Sequence, residues 1–196
     1  MSVFPILRLA VGVAISLLLA RAATSAQQPA NPDELKKFCE TVLCRKPGVV
    51  RLTLDNGKAF ETRFDLPRPI VQNEWISVFP GETIYVEAEA SGNRLVNLRA
   101  VEAIEHPEKT LTFQFSQKPG PPSMMMLVVT NPFKQTMKYH ASMMLPTSDK
   151  LAKTSSCPVG GGGRMAFESW PSAIIQLVLF DFRLLGEGTQ QTACEF

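Results

Sequence analysis

From residue 48 onward, apolar and polar positions alternate with a period of two. Val50, Leu52 and Leu54 are separated by Arg51 and Thr53, the pattern of a strand with one face in a core. Asp55-Asn56-Gly57-Lys58 then reads as a hairpin turn, with Asn-Gly supplying positive φ angles. Phe60, Thr62 and Phe64 continue on the return strand, and Pro67 and Pro69 stop it. Further strands are predicted over 74–79, 83–89, 94–101, 111–116, 124–130, 136–144, 165–170 and 174–184, divided by Pro80-Gly81, Ser91-Gly92 and Pro119-Gly120-Pro121-Pro122. The run 173–185 (AIIQLVLFDFRLL) is apolar on both parities, as expected of a central strand covered on both faces. Before residue 48 the period is helical. Asn31 is a good N-cap, Pro32 suits the first turn, and Leu35, Phe38, Cys39, Val42 and Leu43 fall on one stripe. This short helix is expected to pack against one edge of the domain.

About nine strands, punctuated by turns and with no helical run among them, predict an all-β antiparallel β-sandwich after a short N-terminal helix. The segment Leu127-Val128-Val129-Thr130-Asn131-Pro132-Phe133, followed by Met137-Lys138-Tyr139-His140-Ala141, resembles a pattern of immunoglobulin-like extracytoplasmic domains, pilus-chaperone-type domains among them. That resemblance covers roughly a tenth of the chain and implies an immunoglobulin-like architecture without naming a family.

The first 26 residues are of another kind. Arg8 precedes an apolar run from Leu9 to Ala20, and Arg-Ala-Ala-Thr-Ser-Ala ends the segment in small residues. This is the layout of a cleaved export signal, and a run of about 12 apolar residues is shorter than the ~20 a membrane span needs. The reading divides the chain into a signal peptide (1–26), a short helix and linker (27–48) and a β-sandwich domain (49–196). The signal carries Arg8 and Arg21 and no acid, so the remainder has 20 − 2 = 18 basic and 18 acidic residues. A neutral chain with interspersed signs has no electrostatic footprint for nucleic acid or an anionic membrane. None of the six asparagines after the signal begins an N-x-[ST] acceptor, which favours a periplasmic over a glycosylated secreted setting.

Export changes the meaning of the cysteines. Four in an exported chain read as two disulfides. Cys39 with Cys44 and Cys157 with Cys194 is the expected pairing. On a continuous helix, residues five apart stand about 8–9 Å apart, beyond the ~7 Å limit for a bridge, so the helix must end before Cys44.

Candidate chemistry is sparse. Of the seven methionines after the signal, six fall between Met124 and Met144. Thioether and imidazole ligands suit Cu(I), and His140, Met144 and Met125 are the candidate copper ligands. Strand parity opposes a shared site, because Lys138 faces the same way as His140 and Met144; adaptable core filling explains the methionines equally well. Glu87 and Glu89, or His106, are the only candidates for an envelope-polymer hydrolase, and no nucleophile elbow or close-spaced metal motif accompanies them. The four glycines at 160–163 lack the Gly-Lys-Ser/Thr ending of a phosphate loop. The sequence therefore predicts a non-enzymatic periplasmic or secreted protein without a cofactor, binding a protein or cell-surface partner. Its contact elements are expected in the Pro119–Pro122 loop, the irregular stretch 145–163, or a sheet edge open to a further strand.

Overall fold

The computed structural model describes residues 31–120, 124–186 and 193–194. The export signal assigned to 1–26, and Pro121 and Pro122 of the proline loop, lie outside the described residues. The chain opens with helix α1 (Pro32–Phe38), whose N-cap is Asn31. The Asn31 carboxamide oxygen accepts from the backbone N–H groups of Asp33 at 3.0 Å and Glu34 at 2.8 Å, meeting two donors that the helix itself cannot satisfy. The helix does not pack as expected: none of its residues is buried.

Fourteen strands follow among the described residues: β1 (Cys44–Arg45), β2 (Gly48–Thr53), β3 (Ala59–Phe64), β4 (Arg68–Pro69), β5 (Val71–Gln72), β6 (Trp75–Val78), β7 (Glu82–Ser91), β8 (Arg94–Val101), β9 (Thr110–Lys118), β10 (Met124–Asn131), β11 (Met137–Met144), β12 (Leu151–Thr154), β13 (Arg164–Trp170) and β14 (Gln176–Leu184). Among the described residues all pairings are antiparallel, and ten strands form one sheet: eight follow the path β12-β11-β14-β8-β7-β9-β10-β13, with β6 and β5 added beside β14. The path folds back on itself in a sandwich-like arrangement. β8, β7, β9, β10 and β13 make one layer; β12, β11, β14, β6 and β5 make the other. The layers join through a single residue pair, Arg183 opposite Arg94.

All ten of the segments expected as strands are present. β1, β4, β5 and β12 were not expected, because pieces of two to four residues are too short for an alternation to register. β12 lies inside the stretch read as irregular, pairing with β11 from Ala141 opposite Thr154 to Met144 opposite Leu151. Val159 then bridges Met137. The hairpin β2–β3 is also built differently from expectation. Only Gly57 takes positive φ; Asn56 does not, and its side chain instead accepts from the Lys58 N–H at 3.0 Å.

The core lies between the layers. Ile76, Val78, Val86, Leu111, Phe113, Phe115, Leu127, Val129, Leu177 and Leu179 are wholly or almost wholly buried. Phe113 of β9 meets Phe182 of β14 edge to face at 6.1 Å, and Tyr139 of β11 stacks on the same ring at 5.6 Å. β14 is central, as its apolar run predicted: it pairs with β11 along one edge and with β6 and then β8 along the other. Both expected disulfides form. Cys39 and Cys44 stand 5.5 Å apart at Cα, beyond the end of α1, and Cys157 and Cys194 stand 4.0 Å apart.

Asn131 explains why an asparagine follows the apolar run of β10. Its buried carboxamide donates to the carbonyls of Gln135, Val159 and Gly160 and accepts from the Phe133 N–H. One side chain thus fixes the β10–β11 turn and the segment before β13 together. No described helix is long and apolar enough to cross a membrane.

Candidate functional site

The structure disperses the candidate copper ligands. Met125 is fully buried, on β10 opposite Trp170. His140 lies on the solvent side of β11, with Nε2 3.2 Å from an Arg183 nitrogen and 3.5 Å from the Asp181 carboxylate. Met144 lies four residues further along, about 13 Å at strand rise, opposite Gln176 and Leu151. No single ion reaches all three. Among the described residues, no three His, Cys, Asp or Glu side chains stand close enough to hold a metal ion.

The hydrolase candidates are separated too. A bulge in β7 falls between Glu87 and Glu89. Glu87 is buried, 2.7 Å from Arg99 and 3.5 Å from Lys109, while Glu89 accepts from Asn97 at 2.7 Å. Each carboxylate is thus held by its own neighbours rather than by the other. His106 sits in an exposed turn, its backbone carbonyl accepting from Thr110 at 2.6 Å and its imidazole close enough to Glu87 to interact with that carboxylate electrostatically.

Two other surfaces stand out. The first is the end of the ten-strand path. β13 pairs with β10 from Met125 opposite Trp170 to Asn131 opposite Arg164; among the described residues no strand pairs with its other edge. Its side chains are oriented against the binary pattern. Simple burial would turn Met165 and Phe167 inward and leave Glu168 in water. Instead Glu168 and Trp170 are buried, and Met165 and Phe167 are 59% and 63% exposed, more than any other large apolar side chain among the described residues. On the same face Phe167 stands opposite Val128, and Met165 opposite Thr130.

Two inward groups account for the inversion. Trp170 fills the core against Phe115, with ring centroids 6.3 Å apart, and its indole N–H donates to the Thr154 hydroxyl at 2.7 Å. Glu168 accepts from the buried Tyr139 hydroxyl and from the Cys157 N–H at 3.2 Å. Ser156 donates to the Tyr139 carbonyl, closing a buried polar network between the layers.

Burial pushes the Glu168 carboxyl above the usual carboxylate range, although both hydrogen bonds act in the opposite direction. Burial, with Glu168 beside it, also drives the Tyr139 phenol well up. The native state therefore holds the Glu168 proton more tightly than the unfolded chain does. Stability from this site is fully present below the ordinary glutamate value and declines as pH rises through the raised native value. We expect Glu168→Gln, which keeps an acceptor but does not titrate, to flatten this decline on the alkaline side of the ordinary glutamate value. Thermal melts across that range check it; an unchanged pH slope in the variant would contradict it.

The second surface is the outer face of the other layer. Trp75 of β6, 52% exposed, lies beside Phe180 of β14, and Phe180 beside His140 of β11; both ring pairs have centroids 5.7 Å apart. Asp181 holds a left-handed backbone at φ 55. Its carboxylate is bound by Arg94 at 2.6 Å and by Arg183 at 3.2 Å. Beside Trp75 runs a groove of about 570 Å³, walled in part by Leu35, Leu66 and Leu151, with Gln72 and Asn73 along it. The apolar stripe of α1 thus contributes Leu35 to a groove rather than to a core.

Neither surface was singled out in the sequence. β13 carried a signal: Glu168 and Trp170 share one parity and Met165 and Phe167 the other, so one of the two sets had to be misplaced. The aromatic row carried none, because Trp75 and Phe180 meet only through strand order. The chain matches no protein-family model, no curated protein and no solved structure.

Proposed function

We propose that this is an exported, non-enzymatic binding protein of immunoglobulin-like architecture that accepts a strand from a protein partner at β13. The observation carrying the reading is the inverted orientation of β13. Soluble proteins blunt an unpaired edge with charge, proline or a bulge. Here β13 carries Met165 and Phe167 outward, and among the described residues no strand pairs with its far edge. An added strand would find backbone groups for hydrogen bonding and an apolar row for specificity. The two disulfides and the apolar leader at 9–20 support an oxidising, exported setting.

The experiment is affinity capture from the native compartment with the wild-type chain and with Phe167→Lys and Met165→Lys. Both residues are exposed, so the fold should survive, as the melting temperature will report. The expected result is a partner retained by wild type and reduced at least ~10-fold in each variant, since a charge in a desolvated apolar contact costs more than 1.4 kcal/mol. Undiminished capture by both variants would remove the reading.

A further inference from the structure

A second binding surface, independent of β13, lies on the opposite layer, and we propose that the Trp75–Phe180–His140 row binds an oligosaccharide. Three rings in a row across three strands, with successive centroids 5.7 Å apart and planes tilted by 39° and 38°, form a shallow, stepped aromatic surface. Single exposed apolar residues need no explanation, but a contiguous aromatic row with Trp75 half in solvent does. A pyranose ring is suited to such a platform. Its axial C–H groups carry slight positive charge and meet the negative face of an aromatic ring, while its rim of hydroxyls requires donors and acceptors at the side.

Those side groups are present. Gln72 is paired opposite Trp75 and shares its face. Gln72 and Asn73 line the groove next to the indole. At the other end, Arg94, Arg183 and His140 surround the Asp181 carboxylate. That end offers both acceptors and donors in a fixed arrangement, the combination that orients a polyhydroxylated ligand in a largely apolar site. Two guanidinium groups against one carboxylate leave this end net positive, so it suits an acidic sugar as well as a neutral one.

A peptide fits this surface less well. The row crosses the face of a sheet whose strands β6, β14 and β11 are paired with one another, so no free backbone ladder is available to hold an extended chain. The ligand must be held by ring faces and side-chain polar groups, which is the chemistry of a sugar.

Tryptophan fluorescence reads the site directly. The chain has two tryptophans: Trp75 is exposed and Trp170 buried, so an effect of a ligand on the platform belongs to Trp75. Cellohexaose, chitohexaose and hexagalacturonate are titrated separately into the full processed chain, the three distinguishing neutral, N-acetylated and acidic sugars. The expected result is a saturable change in emission with at least one of them at submillimolar concentration. Binding measured by calorimetry should be lost in Trp75→Ala, weakened at least ~10-fold in Phe180→Ala and kept in Trp75→Tyr, which restores an aromatic face. Near-ultraviolet dichroism from Trp170 verifies that each variant is folded. Silence with all three sugars at millimolar concentration overturns the proposal. So does undiminished binding by Trp75→Ala, or binding of an apolar decapeptide to the row when the sugars do not bind. Capture through β13 is unaffected by Trp75→Ala, so the two surfaces fail separately.

Discussion

Replacing Arg45 with alanine is expected to lower the unfolding free energy by about 3–5 kcal/mol, the cost of stripping one partner from a buried ion pair. Arg45 lies in the segment read from sequence as a linker, yet its side chain is only 6% exposed. Its Nε donates to Glu82, one terminal nitrogen donates to the Pro69 carbonyl at 3.1 Å, and the other donates to the Ser77 carbonyl. The guanidinium lies 4.7 Å from the Phe79 ring centroid. Glu82 in turn accepts from the Phe79 N–H at 2.8 Å. One cation thus joins β1, β4, β6 and the start of β7. Alanine leaves a carboxylate and two carbonyls without this donor. Lysine should rescue little, because an ammonium cannot span three acceptors as a planar fork does. Urea unfolding under oxidising conditions measures the loss; a difference below about 1 kcal/mol would show that Arg45 is replaceable by water.

The second large effect is expected at the bridge between Cys157 and Cys194. Changing both to serine releases a loop spanning 37 residues in sequence. The chain-entropy account assigns such a loop roughly 4 kcal/mol. The loss should not be uniform. Cys157 donates its N–H to Glu168, and neighbouring Ser156 donates to the Tyr139 carbonyl. Loosening position 157 therefore loosens the buried network that turns Glu168 inward. Amide exchange should accelerate first at 156–170, ahead of β7 and β9. Uniform acceleration across all strands would contradict this local role. The Cys39–Cys44 bridge, separated by only five residues, should cost less when removed, because a short loop loses less entropy on closing.

Much of the architecture could be read from local patterns because each was set by neighbouring residues. The Asn31 cap, the β2–β3 hairpin, the run of β14 and both disulfides depend on residues close in sequence or on cysteine arithmetic. What escaped depends on partners far away. Arg45 looks like any linker cation until Glu82, Pro69 and Ser77 are brought around it. The stretch 145–163 looked irregular because β12 has four residues and is defined by its pairing with β11 rather than by its own pattern. Hydrophobicity alone would turn Met165 and Phe167 toward the core. Trp170 and the Glu168–Tyr139 bond outweigh it, and a protonatable glutamate facing inward cannot be inferred from alternation. The copper candidates are dispersed for the complementary reason: His140 and Met144 share β11 but stand four residues apart along it, and Met125 is buried on β10 in the other layer.

The central claim is that the exposed edge of β13 takes a partner. Its most direct test places a photoreactive phenylalanine analogue at position 167 and irradiates cells carrying the protein in its native compartment. Position 63, where the Arg63 side chain is 68% exposed on the β2–β3 hairpin, serves as the control. The account predicts a discrete adduct from position 167 that is absent from position 63 and disappears when Met165→Lys is added. No adduct at 167, or the same adducts from both positions, would contradict it.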